Sequence, residues 1–277
     1  MQAFPVGPAA LCRGMANALQ TAAPALPWMD PGLARLPGML PLDPADWLIA
    51  DEAFAAQMAE RDRLIATRRD EVHALLPRGE AAAGELYGEV LARLPALGHR
   101  IGSGTALRPD GIEVPLDPGA PLLTLGRLVQ EDLCLMEAGC AGEHILTGAI
   151  LCFPASWTLS EKLGRPLTRI HAPVPAYDAG LAPRVQRLFD AIRPGRPLWR
   201  MNAHPYATPE LFAARREGDP RPRPAGPAPY LRMERQAILR LARTGAVVFS
   251  IHTYVLAMES LPAEARAALP GTTAHSG

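Results

Sequence analysis

The chain has 277 residues, 28 basic and 28 acidic side chains and 48% hydrophobic residues, a size and apolar content that bury a sizeable core and exclude wholesale disorder. Its formal net charge is zero and no long block of like charge offers an electrostatic footprint, which argues against nucleic acid or an anionic membrane as partner. The longest uncharged runs, about residues 14–29 and 144–160, are broken by Pro, Gly and polar residues and fall short of the ~20 apolar residues of a spanning helix, so a soluble protein is expected.

Cys12, Cys134, Cys140 and Cys152 are too few and too irregularly spaced for a disulfide framework, a zinc ribbon or a ferredoxin-type cluster. They read as reduced thiols of a cytoplasmic protein. The N-terminus is Ala-rich, but it carries Pro5 and Pro8 and lacks a basic start, so it does not read as a signal peptide. Lys162 is the only lysine.

Residues 1–46, punctuated by prolines from Pro5 to Pro44, cannot hold a long helix and read as an extended arm. From about Asp51 to Leu76 the pattern turns helical and stops at Pro77, and a second helix spans about Glu80 to Leu94. Residues 1–97 are thus an arm and helical hairpin packed on a core of residues 98–277. Residues 99–124 are short pieces of β with turns such as Pro109-Asp110-Gly111. A helix is expected over Leu125–Ala138, with Asp132 inside the apolar stripe of Leu128, Val129, Leu135 and Met136. A strand at 145–153, a Pro/Trp turn and short helix at 154–163, a helix over Pro183–Ile192 and a strand over Trp199–Ala203 follow. Residues 215–229 (RREGDPRPRPAGPAP) are either a plain surface connector or a mobile lid.

Leu231–Leu241 reads as a helix with Glu234 in the middle of its apolar arc. After Thr244-Gly245 comes a strand in which Val247, Phe249, Ile251, Thr253 and Val255 take one face. Ala246, Val248, Ser250, His252 and Tyr254 take the other, which either meets water or lines a pocket. Without regular βαβ alternation, this order of elements predicts an α+β fold built on an antiparallel sheet.

No Gly-rich nucleotide fingerprint, P-loop, zinc-protease helix or serine-hydrolase elbow is present. What remains is charge in apolar or constrained surroundings: Asp132, His171, Arg200, Glu234 and His252. His171 lies in Ile170-His171-Ala172-Pro173-Val174-Pro175, where two prolines predict an extended, stiff segment over 169–175. Such a segment suits either an imidazole aimed at a metal or haem iron or an ordinary structural histidine. A buried carboxylate at Glu234 needs a partner, which is Arg200, Arg232 or Arg235 in a structural pair, or a cationic or proton-donating ligand. For Asp132 a helix cap or an Arg pair is the stronger reading.

Six blocks then occur in order: Val129-Gln130-Glu131-Asp132-Leu133; Phe153-Pro154-Ala155-Ser156-Trp157 with Glu161-Lys162-Leu163-Gly164; Ile170 to Pro175; Arg200-Met201-Asn202; Arg232-Met233-Glu234-Arg235-Gln236; and Thr244-Gly245-Ala246-Val247-Val248-Phe249. The set resembles the haem-dependent oxidative N-demethylase family, specifically its α subunit. The resemblance implies a PAS-like fold, a five-stranded antiparallel sheet with helices holding haem b, that oxidises a small secondary amine such as dimethylamine with O₂ and NADPH-derived electrons. It also implies partner subunits that carry flavin, a 2Fe–2S centre and tetrahydrofolate, the folate capturing released formaldehyde.

Carried onto this sequence, the resemblance makes His171 the axial ligand and metal-binding residue, and Arg200 and Glu234 the polar, catalytic side of the distal pocket. Asn202, Arg232, Arg235 and Tyr254 become the shell that orients them, with Trp157 packing on haem or in the core. Three positions depart from the family pattern: Ala203-His204 where an aromatic is usual, His252 where an arginine is usual, and Ala242 where a proline is usual. His252 and His204 therefore compete as ligands. The altered pocket also motivates a second reading, a haem-binding PAS-type sensor or non-catalytic assembly subunit, and a third, a haem-free structural subunit.

Overall fold

The computed structural model describes residues 18–34, 38–140, 142–174, 177–220 and 226–270. Cys12, the first part of the predicted arm, Pro175 and part of the 215–229 loop lie outside the described residues. A seven-stranded antiparallel sheet is the frame, ordered β1-β8-β9-β10-β6-β7-β2. Its strands are β1 (Leu40–Pro41), β2 (His73–Leu75), β6 (Asp132–Ala138), β7 (His144–Ile150), β8 (Leu198–Tyr206), β9 (Tyr230–Arg240) and β10 (Val247–Ala257). A small second sheet joins β3 (Arg100–Ile101), β4 (Thr105–Leu107) and β5 (Glu113–Pro115), and Gly111 at φ 84° makes the predicted turn between its last two strands.

Both faces of the sheet are buried. The back face packs Leu133, Leu135, Ala237 and Val248 against Trp47, Leu64, Leu86 and Leu125. Those covering residues come from the arm, from α2 (Phe54–Thr67), from α4 (Glu80–Leu91) and from α5 (Pro121–Gly126), the single turns α1 (Pro31–Ala34) and α3 (Arg69–Val72) lying before and after α2. At Gly126 a Cβ would stand 2.5 Å from Ile150 Cγ1, so only glycine lets α5 end directly on the sheet. The front face packs Cys134, Met136, Ile238 and Ile251 against Leu159, Leu167 and Phe189. These come from α6 (Leu159–Lys162), α7 (Leu167–Ile170) and α8 (Ala182–Ala191). Among the described residues no helix is long and apolar enough to cross a membrane.

The α+β expectation with a large antiparallel sheet holds, as do the helix near 80–94, the strand at 246–255 and the helix near 183–192. Three expectations fail for physical reasons. Leu125–Ala138 is not a helix: α5 ends at Gly126 and Asp132–Ala138 is β6. A central strand covered on both faces carries a continuous apolar run, which periodicity alone cannot separate from a buried helix. Leu231–Leu241 is not a helix either, but the strand β9. Its Leu, Met, Glu, Arg and Gln are good helix formers, and pairing with β8 and β10 along its length overrides that propensity. Thirdly, 169–175 is not an extended rod. Leu167–Ile170 is a helical turn capped by His171 at φ −95°, ψ 4°, and the Val174 N–H returns to the His171 carbonyl at 2.8 Å. Pro173 acts there as a turn residue. The helix expected over 51–76 is also divided, α2 ending at Thr67 and His73–Leu75 joining the sheet.

Candidate functional site

Because cross-strand partners share a face, the register of the three long strands places six front-face side chains in two rows. Asn202, Glu234 and Thr253 form one, and Arg200, Gln236 and Ile251 the other. In a sheet packed mostly with aliphatics this is a polar patch, and its bonding is lopsided. Glu234 Oε2 accepts from Asn202 Nδ2 at 3.1 Å and from Gln236 Nε2 at 2.9 Å. The Glu234 amide donates to Asn202 Oδ1 at 3.2 Å, which fixes the Asn202 rotamer.

Three atoms of the patch are buried without a hydrogen-bond partner: Glu234 Oε1, Arg200 Nε and Thr253 Oγ1. Each such atom carries a desolvation cost of about 1–3 kcal/mol, and three on one face of adjacent strands make this patch a candidate site for a polar ligand. Burial lowers the Arg200 pKa and the Glu234 charge opposes this; the guanidinium stays protonated and offers only donors. Burial pushes the neighbouring Cys134 thiol up, and the charges of Asp132 and Glu234 push it further, so it sits in the apolar part of the site as a neutral group.

The layer over this face is tied down by backbone carbonyls. Arg232, also on the front face, is 2% exposed. It clamps the Leu211 carbonyl at 2.8 Å and the Phe153 carbonyl with its other nitrogen, its guanidinium over the Tyr206 ring. Ser156 is the one described non-glycine residue at positive φ, 62°. It is held there by the bond from its N–H to the Ala213 carbonyl at 2.9 Å, and the Ala213 N–H returns to the Pro154 carbonyl at 3.1 Å. Trp157 and Ile170 pack with Leu167 in the same cluster as Ile238 and Ile251, so cover and sheet are in direct contact.

Lys162 is buried and donates to the Ile170 carbonyl at 2.7 Å and to Glu217, which also pairs with Arg169 at 2.9 Å. That clamp fixes the chain at the residue before His171 and pins the described start of the 215–229 loop. His171 Nδ1 lies 2.9 Å from the Leu167 carbonyl, and its ring stacks on Tyr177 at 4.3 Å and 13°. The carbonyl can only accept, so Nδ1 carries the hydrogen and Nε2 the lone pair. Burial lowers the His171 pKa, with the carbonyl opposing and the Lys162 charge assisting. A neutral imidazole oriented in this way has the chemistry of an iron or zinc ligand.

The structure brings Arg200, Asn202 and Glu234 together on one face, and places Trp157 and His171 in the layer over it. None of the contacts of His171 reaches the Arg200–Glu234 patch. Arg235 and Tyr254 are on the other face. Arg235 donates to the Asp46 carbonyl at 2.8 Å and the Trp47 carbonyl at 3.2 Å and stacks on Trp199, and Tyr254 packs with Met201, Leu231 and Met233.

The strand face of Ser250, His252 and Tyr254 neither meets water nor lines a pocket, because the arm and α2 cover it. Trp47 Nε1 donates to Ser250 Oγ at 2.8 Å. His252 is fully buried, with Nδ1 2.9 Å from Glu131 Oε1 and Nε2 3.1 Å from Asp51 Oδ2. Burial alone would lower its pKa, but the bonds and charges of the two carboxylates hold it up at about 9. As an imidazolium it has no lone pair to give iron, which removes it as a competing ligand. Sequence reasoning missed Thr253 and Gln236 as members of the patch and Glu131 and Asp51 as partners of His252. Reading 230–240 as a strand would have aligned the first pair with Glu234.

Against known proteins, the model of one family, described as haem-dependent oxidative N-demethylase, alpha subunit-like, matches residues 38–273. That span contains all five long strands, the front-face patch and the layer over it.

Proposed function

The chain belongs to the haem-dependent oxidative N-demethylase, alpha subunit-like family, and from this premise we propose that it demethylates a small secondary amine such as dimethylamine. One amine, one O₂, two electrons and two protons give the shortened amine, formaldehyde and water. NADPH-derived electrons come from partner subunits carrying flavin and a 2Fe–2S centre, and tetrahydrofolate on a partner takes the formaldehyde. The five long antiparallel strands, with three short helices stacked on one face, support a PAS-like description. Within the N-terminal 97 residues, the described part of the arm and the helices α2 and α4 complete the core.

The observation that carries this reading is the Glu234 carboxylate, with one oxygen held by Asn202 and Gln236 and the other buried without a partner beside Arg200. A protonated alkylamine supplies the missing donor and the charge. Glu234 Oε1 receives the ammonium N–H and is the base placed to take its proton. Arg200 balances the carboxylate and offers its unpartnered Nε–H to an electronegative group in the same space. Among the residues present, His171 would hold haem through Nε2, with Nδ1 fixed on the Leu167 carbonyl, and Trp157, Leu167 and Ile170, which pack on the sheet, would give it an apolar wall. Bound haem supplies the dioxygen and one-electron chemistry that side chains cannot.

Glu234→Gln is the test. Loss of a charge-assisted bond is expected to weaken dimethylammonium binding to the haem-loaded protein about 10–100-fold while thermal stability moves by a few degrees. Unchanged affinity overturns the assignment.

A further inference from the structure

Glu234 explains only one of the two hydrogens that a protonated secondary amine must place. R₂NH₂⁺ carries two N–H donors diverging tetrahedrally from one nitrogen, so a buried site that binds it well needs two acceptors on adjacent positions. The neighbours of Glu234 are mostly unsuited. Arg200 has donors only, and Asn202 has spent its oxygen on the Glu234 amide and its nitrogen on the carboxylate. Gln236 donates to Glu234, and its carbonyl oxygen, the one acceptor it has, belongs to a half-buried side chain in the other row, level with Arg200 and Ile251.

Thr253 remains. It is the cross-strand partner of Glu234 on β10, so its side chain stands about 4.5–5.5 Å away at Cβ on the same face. It is 1% exposed, and its Oγ1 is buried with no hydrogen-bond partner. The backbone at this position is already occupied, the Thr253 carbonyl accepting from Gln20 at 3.2 Å and Gln57 at 3.1 Å. The hydroxyl is therefore not needed to satisfy the chain. A valine would fill the same space without an orphaned oxygen, and the β-branched side chain holds its hydroxyl in a restricted set of rotamers.

We propose that Thr253 Oγ1 is the second N–H acceptor of the amine site. Together Glu234 and Thr253 read two hydrogens on one nitrogen and select dialkylammonium over trialkylammonium and quaternary cations. This rests on the amine-binding reading given above and adds the residue that sets its class of substrate. A site built around a particular donor discriminates against the analogue lacking it because its own acceptor is then left unpaired.

The test is isothermal titration calorimetry of the haem-loaded protein with dimethylammonium and trimethylammonium chloride. The parent protein is expected to prefer dimethylammonium by about 10-fold or more. Thr253→Val, which keeps shape and removes the acceptor, should erase that preference by weakening dimethylammonium alone, and Thr253→Ser should retain it. A preference that survives in Thr253→Val, or an equal weakening of both cations, overturns the role of Thr253 while leaving Glu234 as the amine anchor. Parent protein that binds neither cation, or Glu234→Gln that binds both as the parent does, overturns the amine-site reading and this inference with it.

Discussion

Replacing His252 with leucine is expected to destabilise the protein by about 3–5 kcal/mol, the usual cost of removing one member of a buried ion cluster, and to be read as a large drop in the urea midpoint. Among the described residues the imidazolium is the one cation bonded to both Asp51 and Glu131, and each carboxylate has further duties. Glu131 accepts the Ile49 amide at 2.9 Å, and Asp51 accepts Gln130 Nε2 at 2.8 Å and Gln20 Nε2 at 2.9 Å. Without the histidine two carboxylates face each other in a dry interior, and the segment 47–57 loses its grip on the sheet.

The pH dependence has a definite sign. His252 rises from 6.5 unfolded to about 9 folded, so its contribution is complete below pH 6.5 and is lost as pH climbs to about 9. It amounts to about 3 kcal/mol. Burial would raise the Asp51 pKa, but chiefly its bond to His252 brings it down to about 2. Its contribution is present above the unfolded value near 3.8 and fades as pH falls toward 2. The melting temperature should therefore peak between about pH 4 and 6.5, and His252→Leu should flatten its alkaline limb. A mutant that melts like the parent at pH 6 would show that the cluster adds nothing.

Asp132→Asn is expected to be equally severe, about 3–5 kcal/mol. Asp132 and Arg61 are 2.7 Å apart with side chains 1% and 0% exposed. Asp132 Oδ1 also accepts the Cys152 amide at 2.7 Å, and Oδ2 the Phe153 amide at 2.9 Å. Burial pushes the carboxyl up, while Arg61 and these two amides hold the charged form. Arg61 meanwhile donates to the carbonyls of Gly126 at 2.8 Å and Gln130 at 3.1 Å. One ion pair thus joins α2, the end of α5, the start of β6 and the Phe153–Trp157 block that covers the site. Asparagine keeps the shape but leaves Arg61 as an uncompensated buried cation. The double variant Arg61→Met/Asp132→Leu removes the uncompensated charge but orphans the Cys152 and Phe153 amides, so it should recover only part of the loss; if it is as unstable as Asp132→Asn, the lost hydrogen bonds and packing, and not charge, are responsible.

The sequence disclosed the blocks of the site more readily than its geometry. Glu234 and Asp132 stand out because acid in an apolar pattern needs a partner: Asp132 has the expected arginine in Arg61, whereas Glu234 is held by Asn202 and Gln236 and by no arginine. Yet the pattern reads as helix at both, since central strands with two covered faces lose the alternation that betrays an edge or surface strand. β9 shows this most plainly. Leu231, Met233, Ala237 and Leu239 alternate with Arg232, Glu234, Gln236 and Ile238, but the charged Arg235 breaks the pattern from the back face, where the Asp46 and Trp47 carbonyls receive it. Partners brought in from far along the chain, such as Asp51 with His252 or Lys162 with Glu217, have no local signature at all. The placement of Arg235 behind the sheet follows from strand parity, which a helical reading of 231–241 hides, whereas Tyr254 shares the face of Ser250 and His252, as the strand over 246–255 predicts.

The proposed activity requires haem held by His171 within reach of an amine on Glu234. Its most direct test is the Soret absorption of haem-loaded protein, parent and His171→Ala, titrated with dimethylammonium chloride. The parent band should move on adding the amine, and the variant should lose the haem or show a displaced band. A variant spectrum that coincides with the parent's, or a parent band indifferent to the amine, would contradict it.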